Sequence, residues 1–156
     1  MDLDKKAGGL YTAKRSSDLE VSAEVAEAWA SLRADSDPDG TSWITLTVDQ
    51  TRRVNLAGKG SGDAGELIAA LNDDDVFFGA VRVSSPATKF LHFYFVGANV
   101  GGMKKGKSSL LKNGVFNALD GAHGSFEVPG GLDGALAEFY RSISSLAGGA
   151  TSLIRC

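Results

Sequence analysis

The chain has one cysteine, Cys156, at its last position, so no disulfide can close within it. A lone thiol fits a reducing compartment. His92 and His123 are the two histidines, and with Cys156 far from both, the usual Cys/His zinc set cannot be assembled. Long apolar runs are also missing. Val76–Val83 and Phe90–Val96 fall well short of the roughly 20 residues that a bilayer-spanning helix needs. Met1-Asp2-Leu3-Asp4-Lys5-Lys6 leads into no apolar stretch, which argues against a secretory signal. Cys156 stands last and not fourth from the end, so prenylation is not expected.

The most informative absence is of acid. Between Asp75 and Asp120 the sequence holds no aspartate or glutamate, but it holds Arg82, Lys89, Lys104, Lys105, Lys107 and Lys112. The segment therefore carries +6 in a chain of net charge −3, and the remainder carries −9. A basic segment in an acidic protein predicts a face aimed at an acidic partner. Acidic protein, phosphate, nucleic acid and anionic lipid all qualify by charge.

What is present suffices for one packed domain. Of 156 residues, 43% are apolar, enough to form a core. Residues 1–20 mix charge, glycine and serine without period and read as a flexible leader. The domain is expected over 21–150, with a tail at 151–156. Val21, Val25, Ala28, Trp29 and Leu32 fall on one helical face, and Ser22, Glu24 and Glu27 suit a first turn. Trp43–Val48 alternates as a strand, and Arg52–Ala57 follows after Asp49-Gln50-Thr51. Gly58–Gly62 reads as a loop before a short helix at Ala64–Leu71. Val76–Val83 and Lys89–Val96 are β-prone, with Asp73-Asp74-Asp75 expected to cap the preceding helix. A helix is expected from about Lys105 to Leu119, loosened or delayed by Gly106 and Gly114 at about 1 kcal/mol each. Ser125–Val128 reads as a strand, and Leu132, Leu136, Phe139, Tyr140, Ile143 and Leu146 mark a closing helix ended by Gly148-Gly149. The order predicts an α+β fold: an antiparallel or mixed sheet with helices on both faces.

Two strings imitate phosphate motifs. Gly101-Gly102-Met103-Lys104-Lys105-Gly106-Lys107-Ser108 matches G-x-x-x-x-G-K-[ST] and lies between a strand and a helix. In a working loop, Lys107 would reach terminal phosphates and Ser108 would hold magnesium. Against it, a strand pair already precedes the motif, few residues follow for further βα units, and no apolar run ending in aspartate comes after it. It stands as the alternative function, nucleotide binding. Gly60-Ser61-Gly62-Asp63-Ala64-Gly65 matches G-x-G-x-x-G, but the acid a dinucleotide site needs about twenty residues on is replaced by Ser84, Ser85 and Pro86. Neither histidine has a nearby nucleophile, and the aspartate triple lacks calcium-loop spacing. No enzymatic activity, cofactor or metal is expected.

Several segments together resemble one family. Asp74-Asp75-Val76 opening an apolar strand that closes near Arg82, then Lys89-Phe90 opening the next strand, then Gly97-Ala98-Asn99-Val100-Gly101-Gly102-Met103, follow in the order and spacing of coactosins. Trp43–Val48 resembles that family's first strand, and Leu132–Ala150 its last helix and tail. Coactosins belong to the ADF/cofilin-homology group. The resemblance implies a gelsolin-like α/β sandwich, with a mixed five- to six-stranded sheet between pairs of helices. It further implies a monomeric, cytoplasmic, cytoskeletal actin-binding protein that prefers filaments to actin monomers and binds no nucleic acid. Lys89 matches the family's filament-binding lysine, while Lys105 and Lys112 fall on the long helix the wider family lays against actin. With Lys104 and Lys107 they form the candidate actin-binding set, and anionic phospholipid is a further candidate partner for the same lysines.

Overall fold

The computed structural model describes residues 19–84 and 87–146. A short strand β1 (Glu20–Val21) precedes helix α1 (Ala23–Arg33). Ser22 caps α1, its hydroxyl accepting from the Val25 N–H at 3.3 Å, with Glu24 in the first turn where the helix dipole favours acid. Strands β2 (Trp43–Val48) and β3 (Arg53–Gly60) follow, then helix α2 (Ala64–Ala69). Strands β4 (Val76–Ser84) and β5 (Thr88–Val96) lead to the long helix α3 (Gly102–Ala118), strand β6 (Gly124–Val128) and helix α4 (Ala135–Leu146).

One six-stranded sheet runs in the order β1-β3-β2-β4-β5-β6. The β2–β3, β2–β4 and β4–β5 pairs are antiparallel, and the outer pairs β1–β3 and β5–β6 are parallel. This is the mixed sheet with helices on both faces that the element order implies.

β4 and β5 lie mid-sheet and are buried on both sides, which is why their sequences read as near-continuous apolar runs. Successive side chains still part to opposite faces. Phe77, Leu91, Phe93 and Phe95 join Leu67 of α2 and Phe139 and Ile143 of α4 in one core. Phe78, Ala80, Tyr94 and Val96 join Val25, Trp29 and Leu32 of α1 and Val115 of α3 in the other. Gly79 is required where the strands cross: a Cβ there would sit 2.3 Å from the Ile44 carbonyl oxygen and 2.4 Å from the Phe93 ring.

Four expectations change. β3 continues to Gly60 because its Gly58–Gly60 end pairs with Trp43–Thr45, so the glycine run is strand there and not loop. The sheet reaches back to Glu20, and Leu19 is buried, so these two residues pack with the domain. α3 starts at Gly102, earlier than Lys105, and carries both Gly106 and Gly114. The aspartate triple does not cap α2, whose C-cap is Ala70. The rest of the leader, Gly148-Gly149 and the 151–156 tail lie outside the described residues.

Candidate functional site

The three aspartates grip the loop that launches α3. The Asp73 carboxylate accepts from the Ala98 N–H at 3.1 Å and the Leu132 N–H at 2.8 Å, while its carbonyl accepts from the Asn99 N–H at 2.8 Å. Asp74 accepts from the Asn99 side-chain amide at 3.0 Å. The Asp75 carbonyl accepts from the Gly97 N–H at 3.0 Å, and its carboxylate pairs with Lys104 at 3.1 Å. One short acidic turn thus fixes the 97–100 loop, the 129–132 loop and the first turn of α3.

α3 meets the sheet through little of its length. Ser108 and Val115 are its buried residues, with Leu111 and Phe116 packed alongside. The Ser108 hydroxyl lies 2.7 Å from the Tyr94 hydroxyl and donates to the Lys105 carbonyl at 2.9 Å. On the outer side, Met103 is 77% exposed and Leu110 is 85% exposed. Positions 103, 107 and 110 share one face at helical spacing, so two bare apolar side chains flank Lys107. Nothing lies within 4 Å of where a Cβ would stand at Gly106, so that face is open to solvent. This apolar pair escaped the sequence reading. Its signal was available, since Met103 and Leu110 fall off the Ser108–Leu111–Val115 stripe that must face the sheet.

The five candidate lysines separate into groups. Lys104, Lys105 and Lys107 are exposed on the first two turns of α3. Lys104 is paired with Asp75, whereas Lys105 and Lys107 have no acidic partner among the described residues. Lys112 is half-buried, pairs with Glu127 of β6, and places its ammonium 5.6 Å from the Tyr94 ring centroid. Lys89 is half-buried at the start of β5, opposite Val83. Its neighbour Phe90 exchanges hydrogen bonds with His123: the Phe90 N–H donates to Nδ1 at 3.0 Å and the His123 N–H to the Phe90 carbonyl at 2.7 Å. Since His123 follows the end of α3, Lys89 lies toward the far end of that helix from Lys104. The sixth cation of the acid-free stretch, Arg82, is internal. It donates to the Leu32 carbonyl at 3.0 Å and pairs with Asp35 at 2.9 Å, tying down the end of α1.

The nucleotide-binding alternative fails on geometry. A phosphate cradle needs free backbone N–H groups, yet Gly102–Ser108 is already helix. The Lys105 N–H bonds the Gly101 carbonyl at 2.9 Å, and those of Gly106, Lys107 and Ser108 fall inside α3. Ser108, the would-be magnesium ligand, is buried against Tyr94. The second glycine motif is filled by the protein itself. Glu66 accepts from the Gly62 N–H at 2.8 Å and the Trp43 indole at 2.7 Å, and a Cβ at Gly60 would meet both residues.

The histidines are structural in different ways. His123 continues the β5–β6 contact described above. His92 is buried, stacks on Phe116 at 4.8 Å and leans on Trp29 at 5.3 Å. Burial pushes its imidazole down to about 4, opposed by a backbone hydrogen bond at Leu119 and the charge of Asp120.

Residues 18–133 match the model of the cofilin/tropomyosin-type actin-binding proteins. The chain belongs to that family. Its architecture agrees with solved members of the cofilin-type group. Coactosin from Entamoeba histolytica superposes with a TM-score of 0.69 at 23% identity, over 85% of this chain and 99% of that one. Human coactosin-like protein gives 0.68 at 22% identity, over 91% and 95%. Mouse drebrin-like protein is 29% identical over 98 residues, 60% of this chain and 22% of that protein, so this chain spans about a fifth of the curated relatives it matches. Within this cofilin-type fold, α3 carries the two most exposed large apolar side chains among the described residues, together with Lys105 and Lys107. None of the described helices is long and apolar enough to cross a membrane.

Proposed function

We propose that this protein binds the sides of actin filaments through the outer face of α3, in preference to actin monomers, as a monomeric cytoplasmic, cytoskeletal protein with no catalytic step. One observation carries the reading: Met103 and Leu110 stand almost bare on either side of Lys107, within a stretch that contains no acid. A helix that leaves large apolar groups in water among unpaired cations is suited to a partner surface that is apolar at its centre and acidic at its rim. The family to which the chain belongs supports actin as that partner. Lys104 and Lys112 are held by Asp75 and Glu127, so they shape the edge of the surface and contribute less free charge. Lys89 adds a separate basic point at the other end of β5.

Co-sedimentation with polymerised actin tests the reading, with Lys89→Ala and Lys105→Ala/Lys107→Ala alongside. The protein is expected to pellet at low salt, each variant less so, and a parallel monomer-binding assay to give weaker affinity. Absence of pelleting at low salt would overturn the proposal. The same exposed Met103 and Leu110 among lysines also suit the surface of an anionic membrane. Vesicle flotation with and without phosphoinositides tests that second partner: lipid-dependent flotation lost in Lys105→Ala/Lys107→Ala supports it, and no flotation removes it.

A further inference from the structure

Gly106 has no task inside the fold. Other glycines of the chain stand where a side chain would collide: a Cβ at Gly97 would lie 2.4 Å from the Asp73 carbonyl, as one at Gly79 would strike the Ile44 carbonyl. At Gly106 nothing stands within 4 Å of that point. The position lies inside α3, past its first turn, where alanine is the better helix former. α3 is therefore weakened at Gly106, and no contact among the described residues accounts for it.

Its neighbours give the missing side chain a shape. Met103, Gly106, Lys107 and Leu110 stand at i, i+3, i+4 and i+7. Four residues of a helix so placed frame the hole that a partner's knob fills where elements interdigitate. Met103 and Leu110 are seven residues apart, about 10.5 Å along the axis, and both stand largely in solvent. They form two apolar walls, and Gly106 is the floor between them. Lys107 is exposed and closes one side, its aliphatic stem along the hole and its ammonium outward. The apolar walls favour a large apolar side chain, and the glycine floor lets that group approach the α3 backbone more closely than alanine would. Lys107 has no acidic partner among the described residues, which favours a carboxylate beside the entering group.

We infer that Gly106 is a specificity-determining residue of the α3 face: with Met103, Lys107 and Leu110 it forms a hole that receives one large apolar side chain of the actin filament, flanked by an acidic group. The inference rests on the reading of that face as the filament-binding surface, and it adds the shape and chemistry the partner must present there.

The test compares Gly106→Ala and Gly106→Leu with the parent in urea unfolding and in filament co-sedimentation. Both variants are expected to fold, since their side chains enter open space, and Gly106→Ala is expected to unfold at higher urea than the parent. Filament affinity is expected to fall about fivefold in Gly106→Ala and about fiftyfold or more in Gly106→Leu, because each fills the hole before the partner does. A gain in stability with a loss of affinity is a pair of signs that a purely structural glycine does not give. Ala26→Leu adds similar bulk at an exposed position of α1 and is expected to bind as the parent does. Lys105→Ala/Lys107→Ala separates this inference from the reading beneath it. Where the parent pellets and that double variant pellets less, the face is in the interface, and undiminished binding by Gly106→Leu or Gly106→Ala overturns the hole alone. A Gly106→Ala variant less stable than the parent, or an Ala26→Leu variant that loses as much affinity as Gly106→Leu, overturns it as well. Absence of pelleting by the parent, or pelleting unchanged in the double lysine variant, overturns the hole and the reading together.

Discussion

Helix α4 buries Ala135, Phe139 and Ile143 along 12 residues, whereas α3 buries only Ser108 and Val115 along 17. The two lie on opposite faces of one sheet and are fastened differently. α4 is held by aromatic packing, with Phe139 edge-on to Phe93 at 5.1 Å and to Phe126 at 5.3 Å. α3 is held by point contacts: the Ser108–Tyr94 hydroxyl pair, Phe116 on His92, and the acidic turn that clamps its first residues. The lesson is a division of labour. Both faces bury a full core, but α4 spends Phe139 and Ile143 in that packing, whereas α3 leaves Met103 and Leu110 outside the fold.

The largest expected effect tests the packing of α4. Phe139→Ala should cost about 3–5 kcal/mol, because the truncation opens a cavity between two rings that cannot follow it. Urea unfolding checks this, and a loss under 1 kcal/mol would break the contrast.

The next effect concerns His92 beneath α3. Its imidazole takes a proton near 6.5 in the unfolded chain but only at about 4 in the folded one. The unfolded state therefore binds more protons between these values. Stability is full above pH 6.5, falls as pH drops toward 4, and loses about 3 kcal/mol across the window. His92→Phe should flatten the unfolding free energy over that range. An unchanged slope would show that other groups carry it.

Ser108→Ala comes third. It leaves the Tyr94 hydroxyl with a long contact to the Lys105 carbonyl at 3.5 Å, and should cost about 1–2 kcal/mol in thermal unfolding. The smallest change has the opposite sign. Gly106→Ala fills open space on a helix interior and should stabilise by up to about 1 kcal/mol. Destabilisation there would mean that α3 is held in a shape alanine cannot share.

How far the sequence alone led differs between these two helices. α4 was readable because Leu136, Phe139, Tyr140 and Ile143 repeat at helical spacing, although Leu132, expected in the same helix, lies before its first residue, Ala135. β2 was readable to the residue, since Ile44, Leu46 and Val48 alternate with Trp43, Thr45 and Thr47. α3 resisted because Gly102–Lys107 contains one apolar residue, and that residue faces solvent. Its start is set instead by bonds to Asp73–Asp75, which no local period records. The charge count found the basic segment but not its internal accounts. Arg82 is drawn inside by Leu32 and Asp35, 50 and 47 residues away, and Lys112 meets Glu127 fifteen residues on. Such pairings follow from strand register, which composition does not encode. The setting of His92 was equally hidden, since a lone histidine in an apolar strand gives no sign that its Nε2 is buried without a hydrogen-bond partner.

The most direct test of the central claim removes the apolar pair and leaves every lysine in place. Met103→Ser/Leu110→Ser should unfold within about 0.5 kcal/mol of the parent, since both side chains stand in solvent. Filament co-sedimentation of that variant should show affinity reduced about tenfold or more, near 1.4 kcal/mol. Filament affinity equal to the parent's, in a variant of unchanged stability, would contradict the account.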